Sequence, residues 1–411
     1  MRNIPILRKA AVFVILWLAC PALVLGQVSL QDLGARIVQK NTYYNIVSVQ
    51  ESAEPGFLKF SVTSAHATYQ VEGVLPLIKI LHEIEVIEKI RRNEETSGFF
   101  DGAASSIEAT GDGFVKLVSH PIESGKGLGK AAGKVGSSIG GVFRHKEEGE
   151  KSSFKENLIG QSERELAKNY QVDVYTTNTY LKNLLNSMAK ARAGGKGAIF
   201  AVSFLIPVGL IGLAVTASGV NGAADQLIND SSKGELFQSN KQALLELGCP
   251  SADVERLLNS PYYTPRETTY IRTYLEKLKH ATGFRDILKM AADLKNPLDI
   301  KKVLYTLQIA ADEAQKDPHA FDRIQIKGDG LWASNQKKII WILPYDYLQN
   351  NRHGGLLLDQ AVDEWKTDPK RQFEIWNAGQ ITPDFLRSAS RKGVKVQWFR
   401  LWGGVKNNAE V

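Results

Sequence analysis

Hydrophobic and polar positions change period several times along this chain, and each change marks a boundary between elements. Between Asn41 and Gly73, "YYNIVSVQ" and "FLKFSVTSAHATYQVEG" are rich in Val, Phe, Tyr and Thr with partial alternation, which predicts strands separated by the turn cluster "ESAEPG". "VLPLIKILHEIEVIEKIRRNEE" then takes a helical period. Leu77, Ile80, Leu81, Ile84, Ile87 and Ile90 recur at three- and four-residue steps, with Glu83, Glu85, Glu88 and Lys89 elsewhere on the wheel. A looser, glycine-weakened helical stretch follows in "SGFFDGAASSIEATGDGFVKLV". "SERELAKNYQVDVYTTNTYLKNLLNSMAKARAGGKG" reads as two helices around "DVYTTN", whose polar residues suit a helix N-terminus.

From Leu236 to Asp317 the pattern is helical throughout. "LFQSNKQALLELG" ends in glycine and "SADVERLLNS" opens on a serine cap. "TPRETTYIRTYLEKLKHATG" has Thr264 and Pro265 at its first turn and Gly283 just past its end. Tyr262, Tyr263, Tyr270 and Tyr274 fall at helical spacing and read as core or core edge. The last segment changes period again: "RIQIKGDGLWASNQKKIIWILP" predicts three strands joined by tight turns. Helix "LLLDQAVDEWKTD", strand "QFEIWNAG", helix "TPDFLRSASRKG" and strand "VKVQWFRLW" complete two β-α-β crossovers, which require parallel strands. The expected fold is therefore α+β, with an N-terminal strand-helix unit, a helical middle carrying a glycine-rich amphipathic segment, and a small C-terminal α/β mixed sheet. The composition shifts place boundaries at 1–26, 27–120, 121–235, 236–318 and 319–411.

Two segments fit none of these units. In "ESGKGLGKAAGKVGSSIGGVFRHK", Gly129, Gly133, Gly136 and Gly140 fall on one narrow helical ridge. Lys126, Lys130 and Lys134 lie beside that ridge, and Leu128, Val135, Ile139 and Val142 lie opposite. A lysine edge flanking an apolar stripe suits a bilayer interface or an acidic groove, and the glycine ridge permits close approach of another helix. A solvated helix packed on its own domain is the plainer reading. The second segment, from Gly197 to Ala224, carries no charge. Its length fits a membrane span near 198–219, but its basic flank precedes it and Asp225 and Asp230 follow, against the positive-inside tendency for an exported chain. A buried or surface-inserting helical hairpin fits better.

Export follows from the first residues. Arg2, Arg8 and Lys9 precede an uncharged apolar run from Ala10 to Gly26, the layout of a signal peptide cleaved after Gly26. An uncleaved anchor and lipidation at Cys20 are the alternatives. Cleavage lowers Lys+Arg from 51 to 48 against 44 Asp+Glu, so the formal charge falls from +7 to +4. Such a surplus, spread over a long chain, is no nucleic-acid footprint. Cleavage also leaves Cys249 as the one cysteine, which excludes an internal disulfide and reads as a small buried residue at a helix end.

Catalytic motifs are thin. "GSSIG" (136–140) has the G-x-S-x-G spacing around Ser138, but "GKAAGKV" before it is no strand. "GLGKAA" matches a dinucleotide turn without the strand such a turn needs, and no phosphate-loop spacing occurs. The histidines form no H-x-x-x-H pair, so no metal and no cofactor is expected. One candidate acid-base set remains. Asp346 lies just beyond a strand of the C-terminal sheet, and Arg352 and His353 stand at the start of the next helix. The expected role is non-enzymatic: an exported envelope protein, periplasmic or membrane-associated, that binds a membrane surface or a protein partner. A periplasmic hydrolase-like enzyme centred on Asp346 and His353, and a bitopic membrane protein, are the competing readings.

The mature chain is expected to begin near Gln27. Intact mass checks this: the mass of residues 1–411 would exclude cleavage, and an acyl-sized gain would indicate lipidation at Cys20.

Overall fold

The computed structural model of the protein describes residues 41–92, 154–193, 219–399 and Leu401. Strands β1 (Tyr44–Glu51), β2 (Leu58–Ser64) and β3 (Thr68–Glu72) form an antiparallel sheet in that order. Alternation along β2 and β3 buries Leu58, Phe60, Val62, Tyr69 and Val71 on one face. Helix α1 (Val74–Arg92) follows at once and packs there through Leu77, Ile80, Leu81 and Ile84. Farther along, Val86, Ile87 and Ile90 of α1 enter a second cluster with the next two helices.

That second contact alters the picture drawn from the sequence. Glu83 and Glu88, off the apolar stripe on the helical wheel, are buried, because α1 is covered on more than one side. Each finds a polar partner: the Thr176 hydroxyl donates to Glu83 Oε1 at 2.6 Å, and His66 Nε2 lies 2.8 Å from Glu88.

Helices α2 (Phe154–Asn169) and α3 (Thr179–Ala193) pack as an antiparallel hairpin through Leu166, Leu181, Leu184, Leu185 and Met188. Helix α2 stops in a tight left-handed cap. Val172 N donates to Ala167 O at 2.9 Å and Gln171 N to Lys168 O at 3.1 Å, with Gln171 at φ 54°. Glycine usually holds that position; here the buried Val172 behind it anchors the turn. The helical run continues through α4 (Gly219–Asp230), α5 (Lys233–Glu246), α6 (Ser251–Leu258), α7 (Pro265–Lys277), α8 (Phe284–Asp293) and α9 (Pro297–Lys316).

Several end signals act as the sequence predicts. Thr264 caps α7 in a reciprocal box with Glu267, with Pro265 in the first turn. Cys249 is buried behind the left-handed Gly248 that ends α5. Others differ. Ser251 is the first helical residue of α6, and Pro250 takes the cap position without a side-chain bond. Helix α7 ends at Lys277, and Gly283 instead opens α8 at φ 94°, where the chain crosses Ile324.

The C-terminal sheet has the order β10-β8-β6-β5-β4, built from β4 (Arg323–Lys327), β5 (Gly330–Ser334), β6 (Lys338–Leu343), β8 (Gln372–Asn377) and β10 (Lys395–Trp398). The meander β4-β5-β6 is antiparallel, whereas β6, β8 and β10 run parallel across crossover helices α10 (Arg352–Thr367) and α11 (Pro383–Arg391). A short parallel pair, β7 (Tyr347–Leu348) with β9 (Gln380–Ile381), was not legible from the pattern. Side-chain alternation splits the sheet between two cores. Ala333, Ile340, Ile342 and Trp376 face the helical middle, whereas Trp332, Ile339, Trp341, Phe373 and Ile375 face α10 and α11. The first of these cores also contains the N-terminal sheet and α1.

Asp346 joins the two sheets. Its Oδ2 accepts Leu58 N at 2.9 Å and its Oδ1 accepts Val74 N at 3.0 Å. Its own N–H donates to Gly56 O at 2.9 Å, and its carbonyl accepts Gln380 N at 2.8 Å. Gly56 is required here: it sits at φ 82°, and a Cβ would lie 2.6 Å from the Tyr345 ring.

Burial pushes the Asp346 carboxyl up to about 7, against the pull of both backbone N–H groups and of Lys301. A raised carboxyl favours the protonated folded state. Its contribution is therefore complete below the ordinary aspartate range and is lost as pH rises toward 7. Urea unfolding of the wild type should lose about 1 kcal/mol per pH unit on this account between pH 4 and 7. Asp346→Asn removes that slope but is less stable at every pH, since an amide NH2 must face one of the two N–H donors. An unchanged slope in the variant would refute the assignment.

Candidate functional site

The three residues of the acid-base candidate do not converge. Asp346 is fully buried and each of its carboxylate oxygens accepts a backbone N–H. His353 is the second residue of α10, under the cap made by Asn351, and rests edge-on against Tyr345, with ring centroids 5.4 Å apart. The space beside it, lined by Gly56, Tyr347, Gln349 and His353, is about 10 Å³, room for a single water. Asp346 does not line it. Burial pulls the His353 imidazole down, and the carboxylates opposing this are Asp329 and Glu54. Arg352 is exposed at the first turn of α10.

A larger cavity, about 170 Å³, opens in the helical middle. Gly160, Glu163 and Arg164 of α2 form one wall and Lys182, in the first turn of α3, another. Val174, Tyr175 and Thr176 of the α2–α3 connection form the floor, and Lys233 closes the rim as the first residue of α5. Lys233 is exposed, while Tyr175 and Thr176 are buried. Burial pulls the Lys182 ammonium below the usual lysine range and neighbouring Lys233 adds to this, with Glu163 opposing. Burial also pushes the Glu163 carboxyl up, against the pull of Lys182 and Lys233. Arg164, Lys182 and Lys233 set against Glu163 leave two excess positive charges around the cavity when all four are ionised. Such a charge balance attracts anions.

The floor of the cavity is fixed from behind by partly buried ions. Asp173 receives Lys79 Nζ at 2.7 Å and Arg266 Nε at 2.9 Å, and its Oδ1 also accepts Tyr175 N at 2.9 Å. Arg266 reaches Asp225 of α4 at 2.7 Å and the Tyr270 hydroxyl at 2.7 Å, and that hydroxyl donates to Asp225 at 2.6 Å. Burial alone would push the Asp173 carboxyl up; Arg266 and Lys79 reverse this and hold it well below the usual carboxylate range. Thr176 is tied to Glu83 of α1. Residues 173–176 thus present one side to the cavity while α1, α4 and α7 grip the other.

None of Glu163, Arg164, Lys182 and Lys233 stands out in the sequence, where each reads as an ordinary charge on a helical surface. The segments singled out there, 125–142 with Lys126, Lys130, Lys134, Leu128, Val135, Ile139 and Val142, and 198–217, lie outside the described residues. Among the described residues no helix is long and apolar enough to cross a membrane, and no cluster of His, Cys, Asp and Glu is placed to hold a metal ion. Comparison with known protein families, curated proteins and solved structures finds no match to this chain.

Arg266→Met leaves Asp173 and Asp225 without their shared cation in a largely buried place. It should cost about 3 kcal/mol in urea unfolding, because removing one partner strands the other charges. A loss below about 1 kcal/mol would mean that water replaces the guanidinium and that the floor is not pinned through Arg266.

Proposed function

We propose that this protein is an exported cell-envelope protein of non-enzymatic, interaction type that binds a membrane surface through the 125–142 and 198–217 segments. The observation that carries this reading is where those segments join the fold. The chain enters α2 at Phe154, shortly after 125–142; it leaves α3 at Ala193 and re-enters at α4 from Gly219, so 198–217 links those two helices. Two of these helices wall the basic cavity, and α4 supplies Asp225 to the ions behind its floor. The two segments are thus continuous in sequence with the helices around one cationic cavity. The hydrolase reading finds less support, since the Asp346 carboxylate is committed to backbone groups.

Co-sedimentation with vesicles tests the proposal. Wild-type protein should pellet with anionic vesicles, be released by high salt and ignore neutral vesicles. Lys126, Lys130 and Lys134 changed together to Glu should keep the wild-type melting temperature and lose at least about 100-fold in affinity, each lysine contributing about 1 kcal/mol at such a surface. Binding that survives the triple change, or a wild type that never pellets, would refute the membrane-surface reading and leave a protein partner as the target. Retention through carbonate would instead favour a span near 198–219.

A further inference from the structure

We propose that the cavity between α2, α3 and the start of α5 is a binding site for a phosphate-type dianion, either free phosphate or a phosphomonoester headgroup. Three cations from three separate elements surround one small volume: Arg164 of α2, Lys182 of α3 and Lys233 of α5. Arginine offers a planar fork that matches tetrahedral oxyanions, and lysines supply compact charges around it. The two excess positive charges of the lining groups themselves suit a dianion better than a single carboxylate. At about 170 Å³ the cavity has room for a phosphate with a short attachment. Val174 and the Tyr175 ring, which lies 6.0 Å from Lys233 Nζ, give that attachment an apolar floor.

Glu163 has a distinct part in this site. Its charge acts on both Lys182 and Lys233, which have partners within the protein already. Glu163 lines the same cavity as both lysines, so its charge competes with that of an incoming dianion. Glu235, outside the lining, also acts on Arg164 while its carboxylate accepts the Ser232 backbone N–H in the cap of α5, and its charge offsets part of the cationic surplus. Ligand and Glu163 compete for the same lysines, so removing the carboxylate charge should strengthen binding while removing a cation weakens it. A merely structural charge cluster predicts no such opposition of sign.

The proposal deepens the surface-binding reading but uses different residues, so the two fail separately. Full-length mature protein is titrated with inorganic phosphate by calorimetry, and its melting temperature is followed with and without phosphate. Wild type should bind and gain melting temperature. Arg164→Gln and Lys182→Gln should each weaken binding by about tenfold or more, and Glu163→Gln should tighten it several-fold. Lys126, Lys130 and Lys134 changed to Glu should leave phosphate binding unchanged. If a cation variant folds poorly, the Glu163→Gln gain still decides the matter. Vesicles of phosphatidic acid, a phosphomonoester, are compared with phosphatidylglycerol, a phosphodiester. A Lys182-dependent preference for the first, competed by free phosphate, assigns the site to a headgroup. Phosphate binding without that preference assigns it to the free ion. No response to phosphate at millimolar concentration, or binding indifferent to Arg164, Lys182 and Glu163, overturns the proposal.

Discussion

The architecture depends on one carboxylate that serves two distant backbone groups. Asp346 takes the N–H that opens β2 and the N–H that opens α1, and thereby fixes the N-terminal sheet against the start of the C-terminal crossovers. An N–H at the first turn of a helix has no intrahelical acceptor, and burying it unpaired costs on the order of 1–3 kcal/mol. Val74 is in that position, buried, and its acceptor comes from the far end of the chain. A strand-end aspartate of this kind looks like a catalytic acid in sequence because both roles need a carboxylate beyond the sheet edge. Here the neighbours decide: both oxygens meet backbone donors.

How much could be read in advance followed the range of the interactions. The β4-β5-β6 meander, the two crossovers and the cap at Thr264 were legible because each is specified within a few neighbouring residues. The burial of Glu83 and Glu88 was not, since their partners Thr176 and His66 belong to other elements. Nor could the sequence show that Asp346 reaches groups 288 and 272 positions away. The cavity was illegible for a further reason. Its charged residues sit on three helices: α2 and α3 pack through Leu166 and Leu181, and α5 reaches Tyr175 of their connection through Leu236, apolar positions that any helix bundle would share.

The α2–α3 connection shows how a polar site is held rigid in this protein. Its entry uses a left-handed Gln171 where glycine would be easier, its middle is clamped by Asp173 and Thr176, and Asn178 accepts Leu181 N to start α3. Ionic contacts of this kind contribute little net stability when their desolvation is counted, but they have few alternative geometries. Apolar packing makes the hairpin stable; the ions give the 173–176 backbone a single position. A cavity floored by that backbone is therefore preorganised.

The joint at Asp346 also sets an order of events during folding. The acceptors for Leu58 N and Val74 N are made almost 300 residues after those donors, so a chain emerging N-terminus first displays β2 and α1 long before they can be completed. Contacts of such separation form slowly, because the intervening loop must be closed before they contribute. Until then the apolar faces of β2 and α1 have no finished core to enter. Such intermediates associate with one another or need a holding partner. Truncation near the C-terminal crossovers would consequently be felt first at the opposite end of the polypeptide, as exposure of its earliest strands.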